Sequence, residues 1–169
     1  RANERWNKKQ VRFGWIDFID DENVSRALID TVIAWGRERG MTEIAGPLGF
    51  TDMDAEGMLI EGFDQLSTMA TIYNYPYYPK HIERLGLEKA TDWVEMKIYI
   101  PDGIPEKHQR IANIISQKYG LHIRKIKSKY EALTSGITHK IFELINDAYE
   151  PLFGFSRMTQ KQIDAYVKM

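Results

Sequence analysis

Alternation of hydrophobic and polar residues predicts strands at several places along the chain. Segment 94–100 shows this most clearly, because every second residue from Val94 to Ile100 is apolar and the residues between them are polar or charged. β-Branched and aromatic residues strengthen the same interpretation near the N-terminus, around Phe13 and Ile16. We predict strands at 11–19, 42–45, 87–91, 94–100 and 121–127.

Apolar residues spaced three and four apart predict amphipathic helices between these strands. Gly40, Gly86 and Gly120 follow three of these patterns and favour helix ends there. The predicted helices cover about 24–39, 80–85, 106–119 and 138–149, with a last helix capped by Thr159. We expect loops at 1–10, 51–64 and 73–79, where prolines bar a helix, and one or two helical turns at 65–72.

The order of these elements predicts an α/β fold with a mixed sheet and flanking helices. The first strand–helix–strand unit should be a right-handed crossover with parallel strands. The segment 101–105, with a proline at each end, is the strongest linker signal, so we place a boundary between 1–101 and a helix–strand–helix–helix segment at 102–169.

Composition narrows the partners and the compartment. The chain has 23 basic and 24 acidic residues, and this near-neutral balance argues against nucleic acid as its main partner. Apolar runs fall short of the ~20 residues that span a bilayer, so we expect no membrane partner. The absence of cysteine removes disulfides and zinc–cysteine sites and fits a cytoplasmic protein. We expect no metal.

Two local clusters are candidate binding sites. Asp52, Asp54 and Glu56 imitate the start of a calcium loop, but the bidentate glutamate such a loop needs at its end is replaced by Phe63. A solvated loop is the ordinary interpretation, and the same acids could instead orient an amine substrate or accept its proton. The tyrosines from Tyr73 onward either anchor the loop by packing or line an aromatic substrate pocket.

Three motifs make segment 13–100 resemble the C-terminal half of a GNAT acyltransferase, the acyl-CoA N-acyltransferase fold, in an uncharacterised bacterial subgroup. A strand runs into a helix that ends in the residues AWGRERG at 34–40. Asn74 precedes a helix that ends in IERLGL at 82–87, similar to the family's YEKLGF, and a closing strand pair follows at 87–100. Segment 130–169 resembles the opening helices of a further GNAT unit, so the chain would hold the end of one unit and the start of the next.

The resemblance implies acetyl-CoA or another acyl-CoA as co-substrate, held where the first long strand meets the following helix. Unsatisfied N–H groups and the helix dipole make that helix N-terminus an anion site. His81 would lie beside this implied cleft and is a further acid–base candidate. The implied cofactor residues are Phe18, Ile19, Asp20, Asn23, Val24, Ser25, Arg26 and Asn74.

The sequence departs from the family at two places. The family's glycine-rich turn is replaced by Asp20-Asp21-Glu22-Asn23, whose carboxylates would repel a polyanion. The tyrosine that protonates the leaving thiolate aligns with Ile82, so Tyr78 or Tyr75 would have to take that role.

These observations lead to one expectation and two alternatives. The expected activity is acyl transfer to a small-molecule amine by direct attack, with Tyr73 and the three acids of the loop on the substrate side. A non-catalytic GNAT-like scaffold with a degenerate cofactor site is the first alternative. An interaction module built on the C-terminal helices is the second, and a homodimer remains open.

Overall fold

Seven helices and two short strands make up the regular structure of the described residues. The computed structural model describes residues 2–69 and 71–168. In chain order the elements are α1 (Ala2–Trp6), β1 (Gln10–Arg12), α2 (Glu22–Glu38), β2 (Glu43–Ala45), α3 (Tyr77–Arg84), α4 (Glu106–Tyr119), α5 (Lys129–Thr134), α6 (Ile137–Ala148) and α7 (Gln160–Lys168). The chain is thus mixed α/β, with a small parallel sheet flanked by helices. Within the described ranges, no helix is both long enough and apolar enough to cross a membrane.

The two strands pair in parallel on either side of α2, which confirms the predicted parallel arrangement. Val11 lies opposite Ile44 in the centre of the register. The ladder continues briefly beyond the strands, because the Phe13 N–H donates to the Ala45 carbonyl at 3.1 Å and the Phe13 carbonyl accepts from Leu48 N–H at 2.8 Å. This short sheet therefore fixes the position of the backbone where it enters the segment before α2.

Helix α2 packs closely on the sheet because of one glycine. A Cβ at Gly36 would lie 2.8 Å from Cγ1 of Val11, so any larger residue would push the helix away from β1. On the same helix, Ile29 is buried in the core. Its N-terminal end is capped by Asp21, whose side chain accepts a hydrogen bond from Asn23 N–H.

The first predicted strand is much shorter than 11–19, and the prediction is wrong beyond Arg12. Trp15 has a φ of 47°, in the left-handed region that an extended strand does not use. At Gly14 a Cβ would lie 2.4 Å from the Leu48 carbonyl oxygen, so the backbone turns where two segments touch. Segment 13–21 is therefore an irregular connection between β1 and α2. The strand predicted at 42–45 is confirmed as β2.

The strands predicted at 87–91, 94–100 and 121–127 are wrong, since these segments are irregular in the structure. Their apolar side chains lack a sheet to join: Met96 is 80% exposed and Ile98 is 81% exposed. A strand needs hydrogen-bonding neighbours, and an isolated hairpin is marginal in water. Trp93 alone finds an aromatic partner, Phe153, with ring centroids 6.4 Å apart.

Most helices agree with the sequence patterns, with differences at their ends. α4 and α6 match the predicted ranges to within a residue, and Gly120 takes the expected left-handed conformation with φ of 63°. α3 begins at Tyr77, earlier than predicted, because Pro79 sits in the first turn, where its missing N–H costs no helical bond. The helical turns predicted at 65–72 are not present at 65–69 or 71–72, and residue 70 lies outside the described residues. α1 and α5 were not predicted.

The C-terminal segment packs against the N-terminal part of the chain. Thr159 and Gln162 form a reciprocal cap on α7: Gln162 N–H donates to Thr159 Oγ1 at 3.2 Å, and Thr159 N–H donates to Gln162 Oε1 at 2.8 Å. The Trp6 indole donates to the Phe155 carbonyl at 3.1 Å. The shared core consists of Val11, Phe13, Phe18, Ile29, Leu48, Tyr78, Phe155, Met158 and Ile163.

Candidate functional site

The segment before α2 meets the first turn of α3 through the main chain of Phe18. The Phe18 N–H donates to the Tyr78 hydroxyl at 3.2 Å, and the Tyr77 hydroxyl donates to the Phe18 carbonyl at 2.7 Å. The Phe18 ring is buried and lies 4.3 Å from the Tyr78 ring, centroid to centroid. Phe18, one of the implied cofactor residues, thus has both its main-chain N–H and its carbonyl bonded to tyrosine hydroxyls. Ile19, by contrast, turns an exposed side chain to solvent.

The Tyr78 hydroxyl is a buried donor with a carboxylate partner. It donates to Asp17 Oδ1 while accepting from Phe18 N–H. Burial raises the pKa of Tyr78 to about 12, and the hydrogen bond to Asp17 contributes in the same direction. This proton is held tightly, so Tyr78 is a weak acid in the structure as it stands.

Each acid of the turn before α2 has a partner. Asp21 caps the helix at 2.8 Å from Asn23 N, and the Asp21 carbonyl accepts from the N–H groups of Val24 and Ser25 at 3.1 and 3.2 Å. Asp20 bonds to α3 at His81, and Glu22 forms an ion pair with Arg84 on the same helix. The amides predicted to hold a pyrophosphate are therefore occupied by the protein's own cap. Arg26, on the next turn of α2, is exposed.

Ser25, His81 and Asp20 form a hydrogen-bonded chain that joins α2 to α3. Ser25 Oγ lies 2.9 Å from His81 Nδ1, and His81 Nε2 lies 2.8 Å from Asp20 Oδ1. Because a carboxylate only accepts, Nε2 carries a proton. Ser25 Oγ also lies 3.2 Å from the Glu22 carbonyl, to which its hydroxyl can donate instead.

The hydrogen-bonded residues Ser25, His81 and Asp20 are of the types found in a hydrolase triad, but the serine hydroxyl is not accessible to a substrate. Ser25 is 1% exposed and His81 3% exposed, so a substrate does not reach the hydroxyl in this conformation. Sequence reasoning considered both residues separately and missed their contact. The spacing along the chain, 56 residues, gives no local signal for it.

Asn74 is a structural clamp between two loops. It is buried, its Oδ1 accepts from Leu59 N–H at 2.7 Å, and its Nδ2 donates to the Leu59 carbonyl at 3.1 Å and to the Tyr75 carbonyl at 3.2 Å. The two-way bond to one residue imitates a strand pair. Asn74 thereby holds the acidic loop at 51–64 beside the aromatic loop.

The three acids of that loop have different environments. Asp54 Oδ2 accepts from the N–H groups of Phe50 and Thr51 at 2.8 and 3.0 Å, so it closes the loop on itself rather than facing a ligand. Burial raises the pKa of Asp52, which the Arg12 guanidinium partly offsets. The pKa of Glu56 rises to about 7, first through burial and next through the neighbouring Asp52 carboxylate. Glu56 is therefore the acid of this loop suited to exchange a proton near neutral pH.

The aromatic loop brings three tyrosine rings into contact. The Tyr73 and Tyr75 centroids are 6.2 Å apart with their planes at 78°, and those of Tyr75 and Tyr77 are 5.8 Å apart at 11°. Tyr75 is 60% exposed and Tyr73 is 48% exposed. The structure therefore brings Tyr77 and Tyr78 to Phe18, and Tyr75 contacts Tyr77. The acids at 52–56 lie on a separate loop connected through Asn74.

A cavity of about 430 Å³, which was not anticipated from the sequence, is lined in part by Gly14 and Trp15 of segment 13–21. Trp15 and Phe50 form one wall, with ring centroids 5.2 Å apart. Arg12 and Ser156 also line it, and Arg12 Nε and Ser156 Oγ are buried atoms that form no hydrogen bond within the described part of the chain. Across residues 2–69 and 71–168, no group of three or more histidine, aspartate or glutamate side chains is placed to hold a metal ion.

Comparison with known proteins gives two relatives. The chain is 39% identical over 89 residues to Protein YghO of Escherichia coli K12, a match that covers 53% of this chain and 23% of that protein. It is 28% identical over 151 residues to a bacterial ceramide synthase of Caulobacter vibrioides, covering 89% of this chain and 38% of the relative. The chain thus spans less than two fifths of either relative. No protein-family model matches it, and no solved structure matches it significantly.

Proposed function

We propose that this chain is part of an acyl-CoA-dependent N-acyltransferase with a GNAT-like fold. The observation that carries the proposal is the junction before α2, where the Phe18 main chain, a helix N-terminus and the Tyr77 and Tyr78 hydroxyls converge. Acyl transfer from a thioester requires a polarising group, a site for the CoA phosphates and a proton donor for the thiolate. Groups of these kinds meet at the junction, where the helix amides and the Phe18 peptide groups bond within the chain and would have to exchange these partners for the ligand.

The ceramide synthase similarity supports an amine acceptor. A ceramide is the amide of a long-chain amino alcohol and a fatty acid, so a protein of that name forms an amide bond. For the present chain we propose the same type of bond formation, with an aliphatic amine as acceptor and an acyl-CoA, acetyl-CoA or a longer homologue, as donor.

The proposed reaction balances without a metal or a redox partner. The amine nitrogen attacks the thioester carbonyl, the C–N bond forms and the C–S bond breaks. The proton lost from nitrogen goes to a carboxylate or water, and the thiolate regains a proton as free CoA. Glu56, with its pKa of about 7, is the proposed carboxylate, and because it lies on the separate acidic loop the proton would reach it through water.

The proton donor is proposed to be Tyr75 or Tyr78. Tyr78 already donates to Asp17 and has a pKa of about 12, which makes it slow to release its proton. Its role would then be to hold the Phe18 main chain, and Tyr75, exposed in the same loop, would approach the leaving sulfur.

A thiol-release assay tests the proposal directly. Because the chain has no cysteine, a thiol reagent added to the protein, acetyl-CoA or palmitoyl-CoA and an aliphatic amine detects only released CoA. We expect release that depends on the amine and a matching amount of amide by mass spectrometry. Tyr78→Phe should lower turnover at least tenfold, whereas Tyr130→Phe, at an exposed position, should not. Release without amine, or no release with any donor, would contradict the proposal.

A non-catalytic GNAT-like scaffold is the second candidate. It is favoured by the hydrogen bonds within the junction. Asp21 accepts from the N–H groups at the start of α2, and the tyrosine hydroxyls bond to the Phe18 N–H and carbonyl. A protein of this kind would bind neither CoA nor acyl-CoA at this place.

A further inference from the structure

The aromatic loop presents an arrangement of rings that we call the tyrosine corner, made of Tyr73, Tyr75 and Tyr77. Tyr73 stands nearly perpendicular to Tyr75, at 78°, while Tyr77 lies nearly parallel to it, at 11°. Large parts of Tyr73 and Tyr75 remain open to solvent. Exposed aromatic rings gathered this way cost hydration free energy, which a bound ligand would recover.

The corner is held rigidly at both ends. The Tyr77 hydroxyl donates to the Phe18 carbonyl at 2.7 Å, and the Tyr73 hydroxyl donates to the Phe63 carbonyl at 3.2 Å. Asn74 fixes the backbone between them through its bonds to Leu59. The rings are therefore ordered before any ligand arrives, which lowers the entropic cost of binding.

The electrostatics of the corner favour a cation. The face of an aromatic ring carries negative potential and attracts an ammonium group within about 6 Å of the ring centre. The Asp17 carboxylate is linked to the corner through Tyr78, whose hydroxyl donates to Asp17 and whose ring lies 4.8 Å from that of Tyr77. Two basic groups of α3 are already engaged, His81 with Asp20 and Arg84 with Glu22. Lys80, exposed on the same helix, is the remaining positive charge of α3.

We propose that the tyrosine corner, assisted by Asp17, binds the ammonium group of an aliphatic amine. The proposal assigns the acceptor side of the proposed acyl transfer and rests on that function for its biological meaning. The binding itself needs no acyl donor, so it can be measured alone.

The test is an NMR titration of the whole chain with n-butylammonium chloride, with n-butanol as the neutral match of equal length. Ring-proton resonances of the three corner tyrosines should shift saturably with the ammonium ion and much less with the alcohol. The affinity should be in the millimolar range, since cation–π contacts at exposed sites are weak. Equal shifts with both ligands, or ammonium shifts confined to other tyrosines, would overturn the proposal.

Three variants separate the contributions. Tyr75→Leu removes a ring and should weaken ammonium binding roughly two- to fivefold, whereas Tyr75→Phe keeps the ring and should retain it. Asp17→Asn keeps an acceptor for the Tyr78 hydroxyl but removes the negative charge. It should weaken the binding of the ammonium ion without changing the binding of butanol. Unchanged ammonium affinity in both Tyr75→Leu and Asp17→Asn would contradict the assignment. Ammonium binding without thiol release would support the ammonium site and contradict the transferase. Amine-dependent thiol release without ammonium binding at the corner would support the transferase and contradict the ammonium site.

Discussion

Ser25 on α2 and His81 on α3 are both buried, with Ser25 Oγ 2.9 Å from His81 Nδ1. This contact, continued from His81 to Asp20, sets the position of the turn before α2 relative to the tyrosines of α3. The contact therefore stabilises the geometry on which the proposed site depends.

Removing the Ser25 hydroxyl should destabilise the protein. Ser25→Ala leaves His81 Nδ1 without its partner in a buried place, which costs about 1 to 3 kcal/mol. Thr31→Ala, on the exposed side of the same helix, removes a hydroxyl that bonds only to the Ala27 carbonyl and should change stability by less than about 0.5 kcal/mol. Urea unfolding of the two variants measures this difference in stability. Equal midpoints would mean that the buried contact between Ser25 and His81 does not stabilise the fold.

Asn74→Ala should loosen the connection between the acidic and aromatic loops. The substitution leaves the Leu59 N–H and carbonyl and the Tyr75 carbonyl without their partner, at a cost of about 2 to 4 kcal/mol. The amide of Leu59 should then exchange with deuterium much faster. Asn113→Ala, which removes an exposed bond to Gln109 on α4, serves as the control. Slow exchange at Leu59 in the Asn74 variant would show that another group holds the loop.

Glu56 should make stability fall as the pH rises. Its pKa is raised from 4.5 to about 7 in the folded chain, so the folded state binds more protons than the unfolded state between these values. The contribution of Glu56 to folding stability is therefore fully present below about pH 4.5 and is lost as the pH rises through about 7. Glu56→Gln removes this loss and should gain about 1 to 2 kcal/mol between pH 5 and pH 8 relative to the unmodified chain, a value reduced because Glu56 is partly solvated.

Urea unfolding at the two pH values measures this difference. Asp52→Asn removes the neighbouring carboxylate that helps to raise the pKa of Glu56, so it should reduce the pH dependence as well. Parallel pH profiles for the Glu56→Gln variant and the unmodified chain would contradict the assignment of this raised pKa to Glu56.

The sequence patterns were most reliable for helices, because their signals are local. Gly86 and Gly120 end α3 and α4 in the left-handed conformation, with φ of 85° and 63°, as their positions predicted. The strand predictions were wrong where strand formation depends on a neighbouring strand. Segment 94–100 alternates as a strand should, yet it pairs with nothing within the described residues and leaves Ile100 88% exposed.

The candidate site was predictable in its residues but not in their contacts. Tyr78 and Phe18 were both singled out, but the bond between the Tyr78 hydroxyl and the Phe18 N–H joins positions 60 apart in the chain. The acidic turn was expected to repel a phosphate. The structure adds that Asp21 itself occupies the helix amides, a consequence of cap geometry rather than of charge alone.

Asp21 therefore places both a capping oxygen and a negative charge at the proposed CoA site, and the two effects can be separated. Asp21→Asn keeps a capping oxygen and removes one negative charge, so it should preserve the fold and tighten the binding of CoA severalfold. Asp30→Asn, further along α2, removes the same charge away from the amides and should have a smaller effect. Equal effects of the two substitutions on CoA affinity would place the phosphates elsewhere.

An acyl-CoA site at the start of α2 is tested most simply by calorimetric titration with acetyl-CoA, with free CoA alongside. We expect saturable binding of both ligands at micromolar concentrations, tighter in Asp21→Asn and weaker at high salt. Absence of binding to the unmodified chain and to Asp21→Asn alike would contradict an acyl-CoA site at the start of α2.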